Sequence, residues 1–235
     1  MNHFSPRAHT AGFAGWELWE DHWHLVSEAE QAALVESKLP VRVFNTYFIP
    51  GVDDDSRRAK VNAAIAAFGS QLHAVKFNLG KSGTDAKAQI AAALAWAGEL
   101  PRHVRLLCEC HPGTVIEEPK EAAKAFRLWP AERFGAIVHP LSRGPEKLQT
   151  WFDALPGRIE HLHLQTRQEG SPFVPVEEME AEVRAAWGVL RSVGFRGTAA
   201  MEFVSGIGQP HEAPGSLLEQ AIRDFQWLRA YRFLS

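Results

Sequence analysis

At 235 residues the chain is long enough for one large buried core, and its length alone allows one or two domains. Apolar residues make up 46% and charged residues 23%, the balance of an ordinary globular protein rather than of a disordered or membrane-spanning one. A net charge of -3 argues against a dedicated nucleic-acid binder, which would normally carry a basic patch, and no apolar run approaches the roughly 20 residues that cross a bilayer.

The N-terminal residues lack a basic stretch followed by an apolar one, so no signal peptide is expected. Cys108 and Cys110 stand at i and i+2 of one expected strand, a poor geometry for a disulfide. Both therefore read as reduced core thiols, which fits a cytoplasmic protein. The eight tryptophans read as packing residues between layers.

Taken in order, residues 1–10 show no clear periodicity. Trp16-Glu17-Leu18-Trp19 is a short strand ending at Glu20-Asp21. Residues 27–38 form a helix with Ser27 as its cap and Glu30 completing a capping box, and Pro40 stops it. Residues 41–48 are the second strand, and residues 57–68 a helix with an apolar stripe at Ala59, Ala63, Ala66 and Ala67. The third strand is 74–79, closed by Gly80, and Thr84 caps an Ala-rich helix over 85–99. The fourth strand starts as the apolar run 104–107 and carries Glu109 just before Pro112-Gly113 ends it.

A helix over 118–128, a fifth strand over 134–139 ended by Pro140, and a helix over 145–155 with Pro in its first turn come next. The sixth strand is 159–164. A loop with Arg167, Gly170 and Pro172 leads to a long helix over 176–193, then a seventh strand over 198–203 and a closing helix over 216–233.

Strand and helix alternate seven times with no change of composition that would mark a linker, so one α/β domain over 1–235 with a parallel sheet is expected. An open doubly wound sheet would carry a glycine-rich phosphate turn after an early strand, and none is present. Instead nearly every strand ends in polar residues: Glu17, Asn45, Lys76 with Asn78, Glu109 with His111, His139, His161 with His163, and Glu202. A ring of strands converging on one mouth accommodates all of them, so a (β/α)8-type TIM barrel is the expected fold. Only seven strands are clear, which leaves the first βα unit short or missing. Either residues 1–10 supply a degenerate strand, or the barrel is open there and a loop or a homodimer partner covers the edge.

Glu109, His139, His163 and Glu202, each from its own strand end, make a suitable ligand set for a divalent metal such as Mn, Zn, Co, Fe or Mg. A carboxylate in an apolar strand costs several kcal/mol unless something pairs with it, and a metal is one such partner. On the strand carrying Glu109, Glu109 and His111 share one face, and the two cysteines share the other.

Here the chain resembles the xylose-isomerase-like TIM barrels, which include sugar isomerases and epimerases and the endonuclease-IV-like enzymes. The likeness rests on Ala11-Gly12-Phe13-Ala14-Gly15-Trp16-Glu17-Leu18-Trp19, on Leu107-Cys108-Glu109-Cys110-His111-Pro112-Gly113, on Gly157-Arg158-Ile159-Glu160-His161-Leu162-His163-Leu164, and on Gly194-Phe195-Arg196-Gly197 leading to Met201-Glu202-Phe203. It implies a metal held by Glu109, His163 and Glu202. Where the family has an Asp as second ligand, with a His three residues on, this chain has His139 and Ser142.

The resemblance further implies a cytoplasmic isomerase or epimerase of a small sugar, sugar phosphate or hydroxy-ketoacid. Glu109 and Glu202 would transfer the proton through an enediolate. Lys76 and Arg167 are candidates for an anionic group of the substrate, and Glu17, Asn45, His111 and His161 for further contacts. The expected partner is a carbohydrate-like small molecule, with no nucleic acid and no membrane. One alternative is a barrel that binds a small molecule or a partner subunit without turnover, favoured by the absent Asp and strand. An endonuclease-IV-like phosphodiesterase is disfavoured by the missing histidines on the strands ending near Asn45 and Asn78.

Overall fold

The computed structural model describes residues 4–166, 172–210 and 212–231. Seven strands alternate with helices. In chain order they are α1 (Ser5–Ala11), β1 (Trp16–Trp19), α2 (Glu20–His24), α3 (Glu28–Val35), β2 (Val41–Asn45), α4 (Asp55–Phe68), β3 (Ala74–Phe77) and α5 (Ala86–Glu99). Then come β4 (Arg105–Glu109), α6 (Pro119–Leu128), β5 (Phe134–Val138), α7 (Gly144–Ala154), β6 (Ile159–Gln165), α8 (Glu180–Ser192), β7 (Thr198–Phe203) and α9 (Pro214–Ala230). The strands follow one another in chain order in the sheet, and every pairing described is parallel. The chain forms two compact units, Met1–Ile137 with Ala154–Glu160, and Val138–Asp153 with His161–Ser235.

In the first unit the strands read as near-continuous apolar runs because both faces are covered. Val43, Ala74, Leu107 and Ile137 form a buried cluster on one face. On the other, Phe77 lies edge-on to Trp96, Trp129 and Phe134, and Trp129 stacks on Phe134 with centroids 4.7 Å apart. The indole N–H groups of Trp96 and Trp129 donate to Asn62 Oδ1 and to the Ile90 carbonyl, so these tryptophans are packing residues with their polar ends satisfied. Arg133 donates to the carbonyls of Ala97 and Leu100 at the end of α5, and Arg158 to those of Phe126 and Trp129 at the end of α6. Each guanidinium thereby satisfies helix-end acceptors.

Several expectations are corrected. Residues 1–10 are one of the two alternatives for the missing strand, and the segment described there, Ser5–Ala11, is a helix: Pro6 suits its first turn, and Gly12 closes it at φ 101°. The stripe on α4 falls on the wrong side. Ala59, Ala63, Ala66 and Ala67 are exposed, whereas Val61, Ala64, Ile65 and Phe68 are buried, because the larger side chains remove more apolar surface from water. Asp85, not Thr84, caps α5 through the Ala88 N–H, and the Thr84 hydroxyl donates to the Lys81 carbonyl instead. The capping box of Ser27 and Glu30 forms as expected.

In the second unit, α8 is preceded by a 3-10 turn, Val176–Met179, which divides the long helix expected over 176–193. Asp224 on α9 accepts from the Val176 N–H at 3.1 Å and from Gln220 at 2.7 Å, and so ties that turn to the last helix. Among the described residues no helix is long and apolar enough to cross a membrane.

Candidate active site

Side chains alternate along a strand, so the face carrying Val43, Ala74 and Leu107 also carries Asn45, Lys76 and Glu109 two residues further on. Glu17 joins this polar layer by accepting from Asn45 Nδ2 at 2.7 Å. Above the apolar cluster the first unit thus has a second layer of Glu17, Asn45, Lys76 and Glu109.

Lys76 and Glu109 are both buried and form an ion pair, Nζ to Oε2 at 2.8 Å. Lys76 also donates to Asn78 Oδ1 at 2.7 Å, and Asn78 Nδ2 donates to the same Glu109 oxygen at 3.1 Å. The ammonium lies 3.9 Å from the centre of the Tyr47 ring. Lys76, a candidate for an anionic substrate group, is therefore spent on Glu109, and it supplies the charge partner that an apolar strand demands. Cys108 and Cys110 lie on the opposite face as free buried thiols. Burial raises both, and Glu109 adds to the effect, so they stay protonated and are poor ligands.

The second unit assembles the remaining ligand candidates. His161 and His163 are buried on one face of β6, opposite the small residues Thr198 and Ala200 of β7. His161 Nδ1 lies 2.6 Å from Thr198 Oγ1. His139 follows the end of β5, and its ring lies 5.5 Å from that of His163 at an angle of 31°. His163 Nδ1 is 3.4 Å from Glu202 Oε2, and Gln165 donates to the same carboxylate oxygen. A register shift between Leu164 and Gln165 sets Gln165 opposite Phe203, a bulge of the kind that re-aims side chains beside a site.

His139, His163 and Glu202 each offer one ligand atom, and these lie within 4.8 Å of one another. The 3.4 Å between His163 and Glu202 is the separation of two donors about 2.1 Å from one ion at a near-tetrahedral angle. Two imidazoles and a carboxylate fit a borderline divalent ion.

The other candidates are distributed unevenly. His111 lies past the end of β4, exposed, with Nδ1 2.7 Å from the Pro112 carbonyl, so the face expected to be shared with Glu109 does not extend to it. Arg167 lies outside the described residues. The Ser142 hydroxyl donates to the His139 carbonyl and closes a turn there. Sequence reasoning passed over Gln165, and it did not single out Tyr47 or Trp19. Tyr47 was legible as the next same-face position after Asn45.

No family model matches the sequence, and no curated protein matches it. Solved structures do. A xylose isomerase domain containing protein from Salmonella typhimurium is 15% identical over 97% of this chain and 92% of its own, with a TM-score of 0.66. 3-Keto-D-glucoside 4-epimerase from E. coli is 12% identical over 97% and 94%, with a TM-score of 0.63. The IolI protein with a bound zinc atom is 11% identical over 97% and 91%, with a TM-score of 0.65. The chain has the fold of the xylose-isomerase-like TIM barrels, with one βα unit fewer than the complete barrel among the described residues.

Proposed function

We propose that the chain is a divalent-metal-dependent isomerase or epimerase of a small sugar, sugar phosphate or hydroxy-ketoacid, the ion being held by His139, His163 and Glu202. One observation carries this reading: two imidazoles and a carboxylate from the ends of three successive strands offer ligand atoms within 4.8 Å of one another. The fold shared with an epimerase and with a zinc-containing protein supports it.

The chemistry such an ion would supply there is polarisation of a carbonyl, which would acidify the adjacent C–H. The chain's own residues do the rest. Glu202, steadied by the Gln165 amide, and Glu109, steadied at one oxygen by Lys76 and Asn78, remove the proton from carbon and return it through an enediolate. His161, fixed by Thr198, lines the same face of β6 as His163 and is placed to contact substrate or to hold it.

A second reading, a barrel that binds without turnover, is favoured by the ion pair of Lys76 and Glu109, which satisfies the carboxylate without a metal. Exchange of solvent deuterium into a panel of ketoses and hydroxy-ketoacids separates the two. The metal-loaded wild type is expected to exchange at least one member, and Glu202→Gln to slow that exchange by about a hundredfold or more. Exchange at the wild-type rate in that variant would reject the two-glutamate mechanism. No exchange into any member would favour the binding barrel.

A further inference from the structure

Two aromatic side chains crown the polar layer of the first unit. Trp19 ends β1 opposite Asn45, and Tyr47 lies two residues beyond Asn45. They are 40% and 47% exposed, although β2 and β3 beneath them are almost wholly buried. Their rings meet edge-on with centroids 6.3 Å apart, and His22 meets Trp19 edge-on at 5.3 Å.

These rings are not on a loose loop. Buried Glu20 accepts from the Tyr47 N–H and from Arg57 through Oε1, and from the Thr46 hydroxyl through Oε2. Thr46 Oγ1 in turn accepts from the Phe48 N–H, and the Thr46 N–H donates to the Lys76 carbonyl. Four hydrogen bonds thus fix the backbone on both sides of Tyr47 while its ring stays open to solvent. Packing over the Lys76 ammonium at 3.9 Å accounts for part of the ring, and the part that stays exposed is surface a ligand could cover.

Below the rings lies a second signal. Asn45 is only 8% exposed, and its Nδ2 is committed to Glu17, which settles the orientation of the amide. Its Oδ1 is buried and has no hydrogen-bond partner among the described residues. A buried acceptor without a donor carries a cost that a ligand hydroxyl would remove. Lys76, the nearest cation, is held by Glu109 and Asn78, so this part of the layer offers an acceptor rather than an anion site.

We propose that Trp19 and Tyr47, with Asn45 beneath them, form a subsite for the ring form of a sugar. The C–H face of a pyranose lies on one of the two rings, with the other, at 82° to it, as a side wall, and one of its hydroxyls donates to Asn45 Oδ1. Few polar groups precisely placed beside apolar surface is the usual composition of a small-molecule site. The inference rests on the carbohydrate reading proposed above and narrows it to sugars whose ring stays closed and carries the carbonyl on a ring carbon.

Titration calorimetry of the full chain with methyl β-D-glucopyranoside, whose ring cannot open, and with sorbitol, an open-chain polyol, tests it. The glucoside is expected to bind at least about tenfold more tightly than sorbitol, and Trp19→Ala and Tyr47→Ala each to weaken it by about tenfold, with Tyr47→Phe binding as the wild type does. Equal binding of the two polyols by the wild type, no detectable glucoside binding, or wild-type affinity in both alanine variants would overturn the subsite. The two readings fail separately. Glucoside binding without solvent exchange sinks only the proton transfer, whereas exchange into open-chain substrates without glucoside preference sinks only the subsite.

Discussion

Lys76 and Glu109 each relieve the other's cost of burial. Both are at most 2% exposed, and neither would be tolerated as a lone charge in strands as apolar as β3 and β4. Lys76→Met should therefore destabilise the protein by about 3–5 kcal/mol, because it strands the carboxylate. The double variant Lys76→Met with Glu109→Gln should recover much of that loss, since neither charge is then left alone. Urea denaturation of the three proteins checks this, and a double variant no more stable than Lys76→Met would show that the pair is not coupled. At this scale the sequence was half legible. Glu109 stood out because a carboxylate in an apolar run needs a partner, but that partner is set by the register between β3 and β4, which no local pattern reveals.

Individual elements were read best where one signal dominates. β1 and β7 match their expected ranges residue for residue, each opening directly after a glycine, Gly15 and Gly197. α4 was placed correctly but turned wrongly, since alanines at helical spacing say little about which side is buried. α1 escaped notice because seven residues are too few to show a period.

The turn ahead of α8 offers an electrostatic test of an element junction. Burial raises the Asp224 carboxyl above its ordinary value, outweighing its hydrogen bonds to the Val176 N–H and to Gln220. A raised carboxyl binds its proton more tightly in the folded state than in the unfolded chain. Its contribution is thus most favourable in acid and declines as pH rises through the raised value. Asp224→Asn should gain stability relative to the wild type at about pH 7 and lose that advantage by about pH 4, close to the ordinary aspartate value. Urea midpoints at the two pH values measure this, and a difference independent of pH would contradict it.

For the molecule as a whole, strict alternation of strand and helix disclosed the fold, and polar strand ends marked the residues from which the site is proposed. What alternation could not disclose is how each strand end is spent. Lys76 stabilises Glu109, His111 leaves the face altogether, and Tyr47 extends it as an exposed aromatic. His139 stands where the resemblance leads one to expect a carboxylate, and with His163 and Glu202 it keeps a donor set of nitrogen and oxygen. The most direct measurement is the metal content of the purified protein and of His163→Ala. The account predicts about one divalent ion per chain in the wild type and its loss in the variant. A wild type without stoichiometric metal, or a variant that retains it in full, would contradict the metal centre.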